Sequence, residues 1–363
     1  MLFSTRDIDI LKLLRWCRLI RSDDLVSTFS EPEVFNLKTC SLIKLHHASA
    51  SFVLTTKGNR LLNEVASDLP PATPPAYKEA DTIRRLHLSQ IMLAAYSAGL
   101  DVFALHPDTL GNNRSLFLPA LSRGRGTNPW GSTRVAAITH IGDYLCAVHY
   151  VRLGIGKLSL NDELAAFHNN TAQLSSLQRC LIFSGAGYTD ILSELESEET
   201  ISDTKLSSYG DAYRLLTLPV FLVPCDRTGI TQLQILSVPD HRRKLTQAAL
   251  KSQYAPPPKS FPLCDAFFQH TPFLMAVDMD LRRIDIAIDA ALTQGYDQIS
   301  LAALPAQCNE VLYSRYRDTG KARVFALTDA ALRYVLGETH APLHAPYYTN
   351  EGDVVHVPLI KTP

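Results

Sequence analysis

The sequence is poor in the features that most readily assign a protein to a class, beginning with paired cysteines. Seven cysteines are scattered over 363 residues, and no two of them form a CxxC pair. An odd, dispersed set argues against both a disulfide framework and a zinc site. We expect most of them to be small buried hydrophobic side chains.

An excess of charge is also missing. The formal net charge is −1, with 35 Lys and Arg against 36 Asp and Glu. A protein that coats nucleic acid without sequence preference is normally basic overall. Any contact with DNA is therefore expected to come from a local patch.

Long apolar runs are absent as well. No run approaches the roughly 18 residues of a membrane span, and residues 1–7 lack a basic segment followed by an apolar one, as a secretory signal would have. Hydrophobic residues make up 46% of the chain and charged residues 20%. These features predict a globular protein of two or three domains, cytoplasmic and without a membrane partner.

Residues 1–67 have the pattern of three helices followed by a hairpin. Ser4 and Asp7 have the spacing of a capping box, and Ser22 can cap a second, short helix. Pro32 suits the first turn of a third helix, which we expect to continue to about Leu45. The β-branched and aromatic residues that follow, up to Thr56, predict a strand.

The segment Phe52-Val-Leu-Thr-Thr-Lys-Gly-Asn-Arg-Leu-Leu62 resembles the junction between wing and helix in many bacterial winged-helix regulators. There, a strand ends in Leu-Thr and a glycine precedes a Leu-Leu helix. The resemblance implies an N-terminal winged helix-turn-helix over residues 1–67 that binds double-stranded DNA.

Proline marks the clearest boundary in the rest of the chain. Four prolines lie between Asp68 and Tyr77, and they predict a semi-rigid linker over residues 68–80. Alternating strand and helix patterns, including an antiparallel hairpin that turns at Gly142-Asp143 and a strand over Gln232–Val238, then predict a mixed α/β domain over 81–254 and a C-terminal α/β region over 260–363. The fold class is thus multidomain α/β, and the pattern leaves open whether the last region continues the same sheet or forms a second lobe.

The segment Arg84-Arg-Leu-His-Leu-Ser89 opens a long helix after the linker. With a winged helix, a linker, this long helix and an α/β region in that order, the chain resembles the replication-relaxation family of plasmids and integrative elements over about its first 200 residues. The resemblance implies a winged helix followed by a restriction-endonuclease-like domain. It also implies a role in replication, mobilisation or transcriptional regulation of a mobile genetic element, with other replication or mobilisation proteins as partners. The sequence leaves open whether the chain forms a homodimer.

In that family, acidic residues can stand on two adjacent strands of the second domain. Here Arg134, His149 and Tyr150 occupy those places. Metal-assisted phosphodiester cleavage needs carboxylates, so the sequence favours DNA binding without catalysis, metal or cofactor. Two alternatives stay open: a metal-dependent nuclease or relaxase that uses Asp108 or Asp143, and a protein-binding adaptor built on a winged helix.

The third helix of a winged helix enters the major groove, and the wing contacts the neighbouring backbone or minor groove. The first 67 residues contain nine Lys and Arg against seven Asp and Glu, so the interface is expected to be only mildly basic. An Arg-Gly loop beside Trp130 adds two arginines that suit phosphate contact. The candidate DNA-binding residues are Asn36, Lys38, Thr39 and Lys44 on the third helix, His46, His47, Ser51 and Lys57 around the wing, and Arg123 and Arg125 in the loop.

Three further patterns have two interpretations each. The basic clusters His241-Arg-Arg-Lys244 and Arg315-Tyr-Arg317 can extend a DNA footprint or form a solvated face. Asp278 and Asp280 can offer oxygen ligands to a metal, or mark a helix N-terminus at Leu281.

Overall fold

A computed structural model describes residues 2–74, 78–122, 129–151, 158–197, 206–337 and 347–355. It confirms a multidomain α/β protein with mixed parallel and antiparallel sheets. The chain divides into two compact units. Of the described residues, the first unit contains 2–74, 78–97, 102–105 and 347–355, and the second contains the rest.

The first unit begins with short helices and strands in alternation. In chain order its elements are β1 (Phe3–Ser4), α1 (Thr5–Cys17), β2 (Ile20–Arg21), α2 (Ser22–Thr28), α3 (Glu31–Thr39), β3 (Ile43–His46), β4 (Ser51–Leu54), α4 (Thr56–Val65) and α5 (Glu79–Ser97). The strand β5 (Asp101–Ala104) follows. Its first residue, Asp101, belongs to the second unit, and its other residues belong to the first.

Helix starts in this unit follow the sequence closely. The predicted capping box is confirmed: the Ser4 hydroxyl accepts from the Asp7 backbone N–H, and the Asp7 carboxylate accepts from the Ser4 backbone N–H. The predicted Ser22 cap of α2 is wrong: Ser22 is the first helical residue, the N-cap residue is Arg21, and no side chain caps this helix. Both acids do lie in its first turn, where the helix dipole favours negative charge. Pro32 lies in the first turn of α3, as predicted.

The predicted end of the third helix is wrong. Helix α3 stops at Thr39, and Ser41 has a φ of 59°, which a continuing right-handed helix cannot contain. The following residues form β3, which pairs antiparallel with β4 from Ile43↔Leu54 to His46↔Ser51. Lys44 and Leu45 are therefore strand residues, because pairing with β4 outweighs the local helical pattern.

Strands β2, β4 and β3 form a three-stranded antiparallel sheet in that order. Helices α1 and α4 pack on it, and α5 packs on α1, α2 and β2. Leu19, Val53 and Leu86 form one buried cluster. The long helix after the proline segment thus belongs to the first unit, and the two units divide the chain elsewhere than the predicted domains do.

The second unit contains a large mixed sheet. Its further elements are β6 (Ser115–Phe117), β7 (Ala137–Ile141), β8 (Tyr144–Tyr150), α6 (Leu160–Asn170), β9 (Gln178–Gly185), α7 (Tyr188–Leu195), α8 (Tyr209–Leu215), β10 (Val220–Pro224) and α9 (Arg227–Leu236). The strands of this unit run β10-β9-β8-β7-β6; β6, β7 and β8 are antiparallel, and β8, β9 and β10 are parallel.

One strand expected in this unit is a helix. The segment Gln232–Val238 has strand-like composition, yet residues up to Leu236 belong to α9. The Asp226 side chain caps this helix by accepting from the Gly229 N–H. A Cβ at Gly229 would collide with the Pro224 carbonyl, so glycine lets α9 fold back directly against the end of β10.

A second, separate sheet lies in the same unit, which answers the question that the sequence left open. The elements here are α10 (His241–Leu250), β11 (Ala266–Phe268), β12 (Thr271–Met275), α11 (Leu281–Thr293), β13 (Ile299–Ala303), α12 (Pro305–Gln307), a π-helical continuation (Cys308–Arg317), β14 (Ala322–Ala326) and α13 (Asp329–Leu336). The order is β11-β12-β13-β14, with β12, β13 and β14 parallel.

Buried hydrogen bonds join helices that border the two sheets. The Tyr188 hydroxyl donates to Gln232 and accepts from Gln307, at 2.8 and 2.9 Å. Gln232 also donates to the Leu222 carbonyl, and Gln307 to the Val277 carbonyl. All these polar groups are satisfied, as burial requires.

The chain then returns to the first unit through a small hairpin, β15 (Tyr347–Tyr348) and β16 (Val354–Val355). Strand β15 pairs antiparallel with both β1 and β16. Among the described residues, no helix combines the length and the apolar character that crossing a membrane requires.

Candidate nucleic-acid interface

Helix α3 presents two chemically different halves. Its first turn contains Glu31, which is exposed, and Glu33, which forms an ion pair with Arg6 at 2.7 Å. The second half presents Lys38 and Thr39 to solvent. A lysine near a helix C-terminus complements the helix dipole, and Lys38 gives this half of the helix its positive charge.

Asn36 lies half-buried on the same helix, with its side-chain oxygen 3.7 Å from the Cys40 sulfur. Phe35 is 64% exposed.

The hairpin between β3 and β4 carries four of the predicted contact residues. Lys44 is exposed on β3, because side chains alternate across a strand and its neighbour Ile43 faces the core. His47 is exposed at the tip. His46 is half-buried, with Nδ1 2.9 Å from the Ser49 hydroxyl. Ser51 is fully buried and donates to the Ser49 carbonyl at 2.8 Å, so its hydroxyl serves the hairpin itself.

Two of the predicted lysines line one cleft of about 540 Å³. We call it the lysine cleft. Lys44 on β3 and Lys57 on α4 lie in its wall together with the hydroxyl-bearing residues Ser41, Thr55 and Thr56. None of the described residues that line it is acidic. The cleft therefore has a local positive charge in a chain whose net charge is close to zero.

The Leu-Thr and Gly of the predicted wing-to-helix junction build this cleft. The Thr55 hydroxyl accepts from the Gly58 N–H at 3.0 Å, which caps α4, and donates to the Ser41 carbonyl at 2.7 Å. A Cβ at Gly58 would collide with the Leu42 carbonyl. Glycine is thus required for α4 to begin this close to β3, and Lys57 donates to the Cys40 carbonyl at 3.0 Å.

A second cleft of about 720 Å³ includes the hairpin tip in its wall. Arg21, His46 and His47 line it, but so do Asp23 and Glu79. Its charges are mixed, so it offers an anion less attraction than the lysine cleft does.

The positions where the resemblance implied catalytic acids have no such arrangement. Arg134 is exposed, and its backbone N–H donates to the Glu163 carboxylate at 2.6 Å. His149 is buried against the rings of Phe183 and Tyr209. Burial lowers the pKa of His149 to about 4 and raises that of Glu163 to about 7. Both groups are thus shifted toward their neutral forms.

The two aspartates of the nuclease alternative are both exposed, Asp108 in a 3₁₀ turn and Asp143 between β7 and β8. Asp143 accepts from the Asp240 backbone N–H at 2.7 Å. Within the described part of the chain, no group of three or more His, Cys, Asp or Glu side chains is placed to hold a metal ion. Arg123 and Arg125 lie outside the described residues, and their neighbour Trp130 is buried.

The two basic clusters of the second unit are paired with acids. Arg242 forms an ion pair with buried Asp278 at 2.6 Å, and Arg243 with Asp240 at 2.5 Å. In the other cluster, Arg315 pairs with Glu196 and Arg317 with Asp318. These pairs reduce the charge that either cluster can present to DNA.

Sequence reasoning missed one feature, a buried group of charges around Asp278. Its carboxylate is held between Arg242 and Arg283, and these cations hold its pKa well below the usual range although burial alone would raise it. Asp280 caps α11 by accepting from the Arg283 N–H. The helix-start interpretation of Asp280 is confirmed, and Asp278 is an ion-pair partner. Arg242 and Asp278 lie 36 positions apart, so no local signal reveals the pair.

Comparisons with known proteins add no assignment: no family model, no curated protein and no solved structure matches this chain.

Proposed function

We propose that the first unit contains a winged helix that binds double-stranded DNA. The order α1, β2, α2, α3, β3, β4 and the three-stranded antiparallel sheet support this. In such a domain the third helix reads the major groove and the hairpin contacts the backbone beside it. The observation that carries the proposal is the lysine cleft, which begins two residues after α3 ends.

In this proposal the second half of α3 contacts the major groove through Asn36, Lys38 and Thr39. Lys44 and Lys57 bind backbone phosphates in the lysine cleft, and His47 contacts the duplex from the hairpin tip. Lysine acts on phosphate as a flexible point charge, so these contacts position the protein and carry little sequence information. Ser51 is left out because its hydroxyl is buried and already bonded.

The biological role we propose is the one that the resemblance implies: replication, mobilisation or transcriptional regulation of a mobile genetic element. The second unit then serves as a scaffold or a second binding surface, without cleaving DNA. The absence of acids at Arg134 and His149 supports binding over cleavage, because phosphodiester hydrolysis by metal ions requires carboxylate ligands.

The test is the salt dependence of duplex binding by the full chain and by the double variant Lys44→Ala/Lys57→Ala. Each phosphate contact contributes about −0.9 to the slope of log K against log salt. Losing two contacts should therefore flatten the slope by about 1.8. Between about 50 and 200 mM salt the wild type should lose roughly tenfold more affinity than the variant does.

The matched control is Lys259→Ala/Lys321→Ala, which removes the same charge from exposed positions of the second unit. It should leave the slope unchanged. Equal slopes for the wild type and the cleft variant would remove the lysine cleft from the interface. No salt-sensitive binding at low ionic strength would reject DNA binding altogether.

One observation favours a second candidate, the protein-binding adaptor. Exposed Phe35 and the acidic first turn of α3 form a surface better suited to a protein than to phosphate. Phe35→Ser separates the two candidates. If α3 binds a protein through this surface, Phe35→Ser abolishes that complex, while phosphate-dependent DNA binding keeps its salt slope.

A further inference from the structure

The second unit contains a cleft of about 340 Å³ at the start of α10. We call it the His241 cleft. His241, Tyr144 and Tyr254 line it, together with Asp143, Asp265 and Arg243. Its volume lies at the small end of the range for ligand sites, which is roughly 300–1,000 Å³. None of these residues belongs to the proposed DNA interface.

His241 is the group in this cleft that most needs a partner. Only 2% of it is exposed, and both ring nitrogens are shielded from solvent without a hydrogen-bond partner. Its ring centroid lies 6.1 Å from that of Tyr144. Leaving a buried polar atom without a partner costs about 1–3 kcal/mol, so folding alone gives no reason for an imidazole here.

The protonation state of His241 determines what it can bind. Burial lowers its pKa to about 4, with the two neighbouring arginines acting in the same direction and Asp278 opposing them. The ring is therefore neutral at neutral pH. A neutral imidazole has one N–H donor and one nitrogen acceptor, so it suits a ligand that offers one group of each kind.

Asp143 in the cleft wall accepts from the Asp240 backbone N–H, and the other charged side chains that line the cleft form ion pairs with oppositely charged groups. Asp240 pairs with Arg243 at 2.5 Å, and Arg242 with Asp278 at 2.6 Å. Asp265 accepts from Arg283 at 3.3 Å and from the Met275 backbone N–H at 2.7 Å. An anionic ligand would have to break one of these pairs and would meet the Asp143 carboxylate, whereas an uncharged ligand leaves the pairs intact.

One backbone position in the cleft wall and one next to Asp278 have a positive φ. Asp240 and Met279 have φ values of 56° and 53°, in the left-handed region that residues other than glycine rarely adopt. Asp240 directly precedes His241, and Met279 directly follows Asp278. Unusual backbone conformations of this kind gather at functional sites.

We propose that the His241 cleft binds an uncharged planar heterocycle that carries a hydrogen-bond donor and an acceptor, of the chemical class of the nucleobases. The two tyrosine rings provide aromatic walls for a flat molecule, and His241 bonds to its polar edge. The ligand reaches the imidazole by displacing the side chains that shield it. The site is independent of duplex binding by the first unit.

The experiment titrates the full chain with adenosine, guanosine, cytidine and uridine, by calorimetry and by NMR of the histidine ring nitrogens. At least one nucleoside should bind saturably and shift the His241 ring signals. His241→Phe keeps an aromatic ring but removes both nitrogens, and should weaken that binding at least tenfold. His168→Phe, at an exposed position on α6, is the matched control and should bind as the wild type does.

Tyr254→Ala covers the case in which His241→Phe does not fold, because Tyr254 is only half-buried at the rim of the cleft. It should weaken binding while keeping a cooperative thermal unfolding transition, at a somewhat lower temperature because Tyr254 also packs against the core cluster around Leu245. Three results would overturn the proposal: no saturable binding of any of the four nucleosides, binding that leaves the His241 ring signals unmoved, or binding that both cleft variants retain.

Discussion

Replacing His149 by leucine gives a direct test of how the second unit handles a buried titratable group. His149 lies on β8 with its ring against Phe183 and Tyr209, at centroid distances of 5.9 and 6.2 Å. Its Nδ1 has no hydrogen-bond partner. Leucine has nearly the same volume and no polar atom, so the substitution removes the titration while conserving the packing.

The size of the effect follows from the pKa difference. His149 has a pKa of about 4 in the folded protein, against 6.5 as the ordinary value. Between these pH values the unfolded chain binds a proton that the folded protein excludes, so lowering the pH destabilises the fold. One pKa unit corresponds to about 1.4 kcal/mol, so the loss from His149 amounts to about 3 kcal/mol when the pH falls through this window.

Two buried acids act in the opposite direction. Burial raises the pKa of Glu163 to about 7 and that of Asp280 to about 6. Over part of the same window the folded protein therefore binds protons that the unfolded chain does not, and acid stabilises these two sites. The wild-type stability curve mixes both effects, whereas the difference between wild type and variant isolates His149.

The assay is urea unfolding of the full chain at several values between about pH 4 and pH 7.5. At neutral pH the two proteins should differ by less than about 2 kcal/mol, because the lost aromatic contacts offset the removed polar atom. Between neutral pH and pH 4, the difference in unfolding free energy (variant minus wild type) should shift by about 3 kcal/mol in favour of the variant.

The control is His168→Leu, at an exposed position on α6. It measures the effect of the same substitution at a solvent-exposed site. A flat curve for His149→Leu would refute the reasoning, because it would mean that His149 titrates alike in the folded and unfolded states.

Two further predictions concern packing and buried charge. Asp278→Ala leaves the guanidinium groups of Arg242 and Arg283 buried without their shared carboxylate. It should lower the free energy of unfolding by about 3–5 kcal/mol. A loss below about 1 kcal/mol in a denaturant titration would contradict the ion-pair network. Gly58→Ala should lower the free energy of unfolding by about 2 kcal/mol or more, because the added Cβ meets the Leu42 carbonyl. Gly187→Ala is the control: a Cβ there meets nothing within 4 Å, so the thermal unfolding temperature should stay nearly unchanged. Equal effects of the two substitutions would contradict the close-packing explanation.

The sequence predicted most of what depends on neighbouring residues. The capping box of α1, the acidic first turn of α2 and the hairpin of β7 and β8 all rest on groups a few positions apart. Their hydrogen bonds and turn conformations form within a short segment, so the pattern is visible locally. The Leu-Thr and Gly of the predicted junction are a further local feature, because the Thr55 hydroxyl caps α4 by accepting from the Gly58 N–H.

Predictions failed where a distant contact outweighed the local preference. The residues after Thr39 continue a helical pattern, yet pairing with β4 makes them a strand. The segment Gln232–Val238 has strand composition, yet Gly229, beside the Pro224 carbonyl, allows α9 to pack there. Intrinsic propensities amount to a few tenths of a kcal/mol per residue, and tertiary packing commonly overrides them.

The sequence by itself thus determined the multidomain α/β class, most helix starts and the residue types available for contact. Only the tertiary structure placed Lys44 and Lys57 in one cleft, put α5 in the first unit, and enclosed His241 beside the Arg242–Asp278 ion pair. The physical reason is range. Caps and periodicity act over a few residues, whereas clefts and buried ion pairs join residues whose separation along the chain leaves no trace in a local pattern.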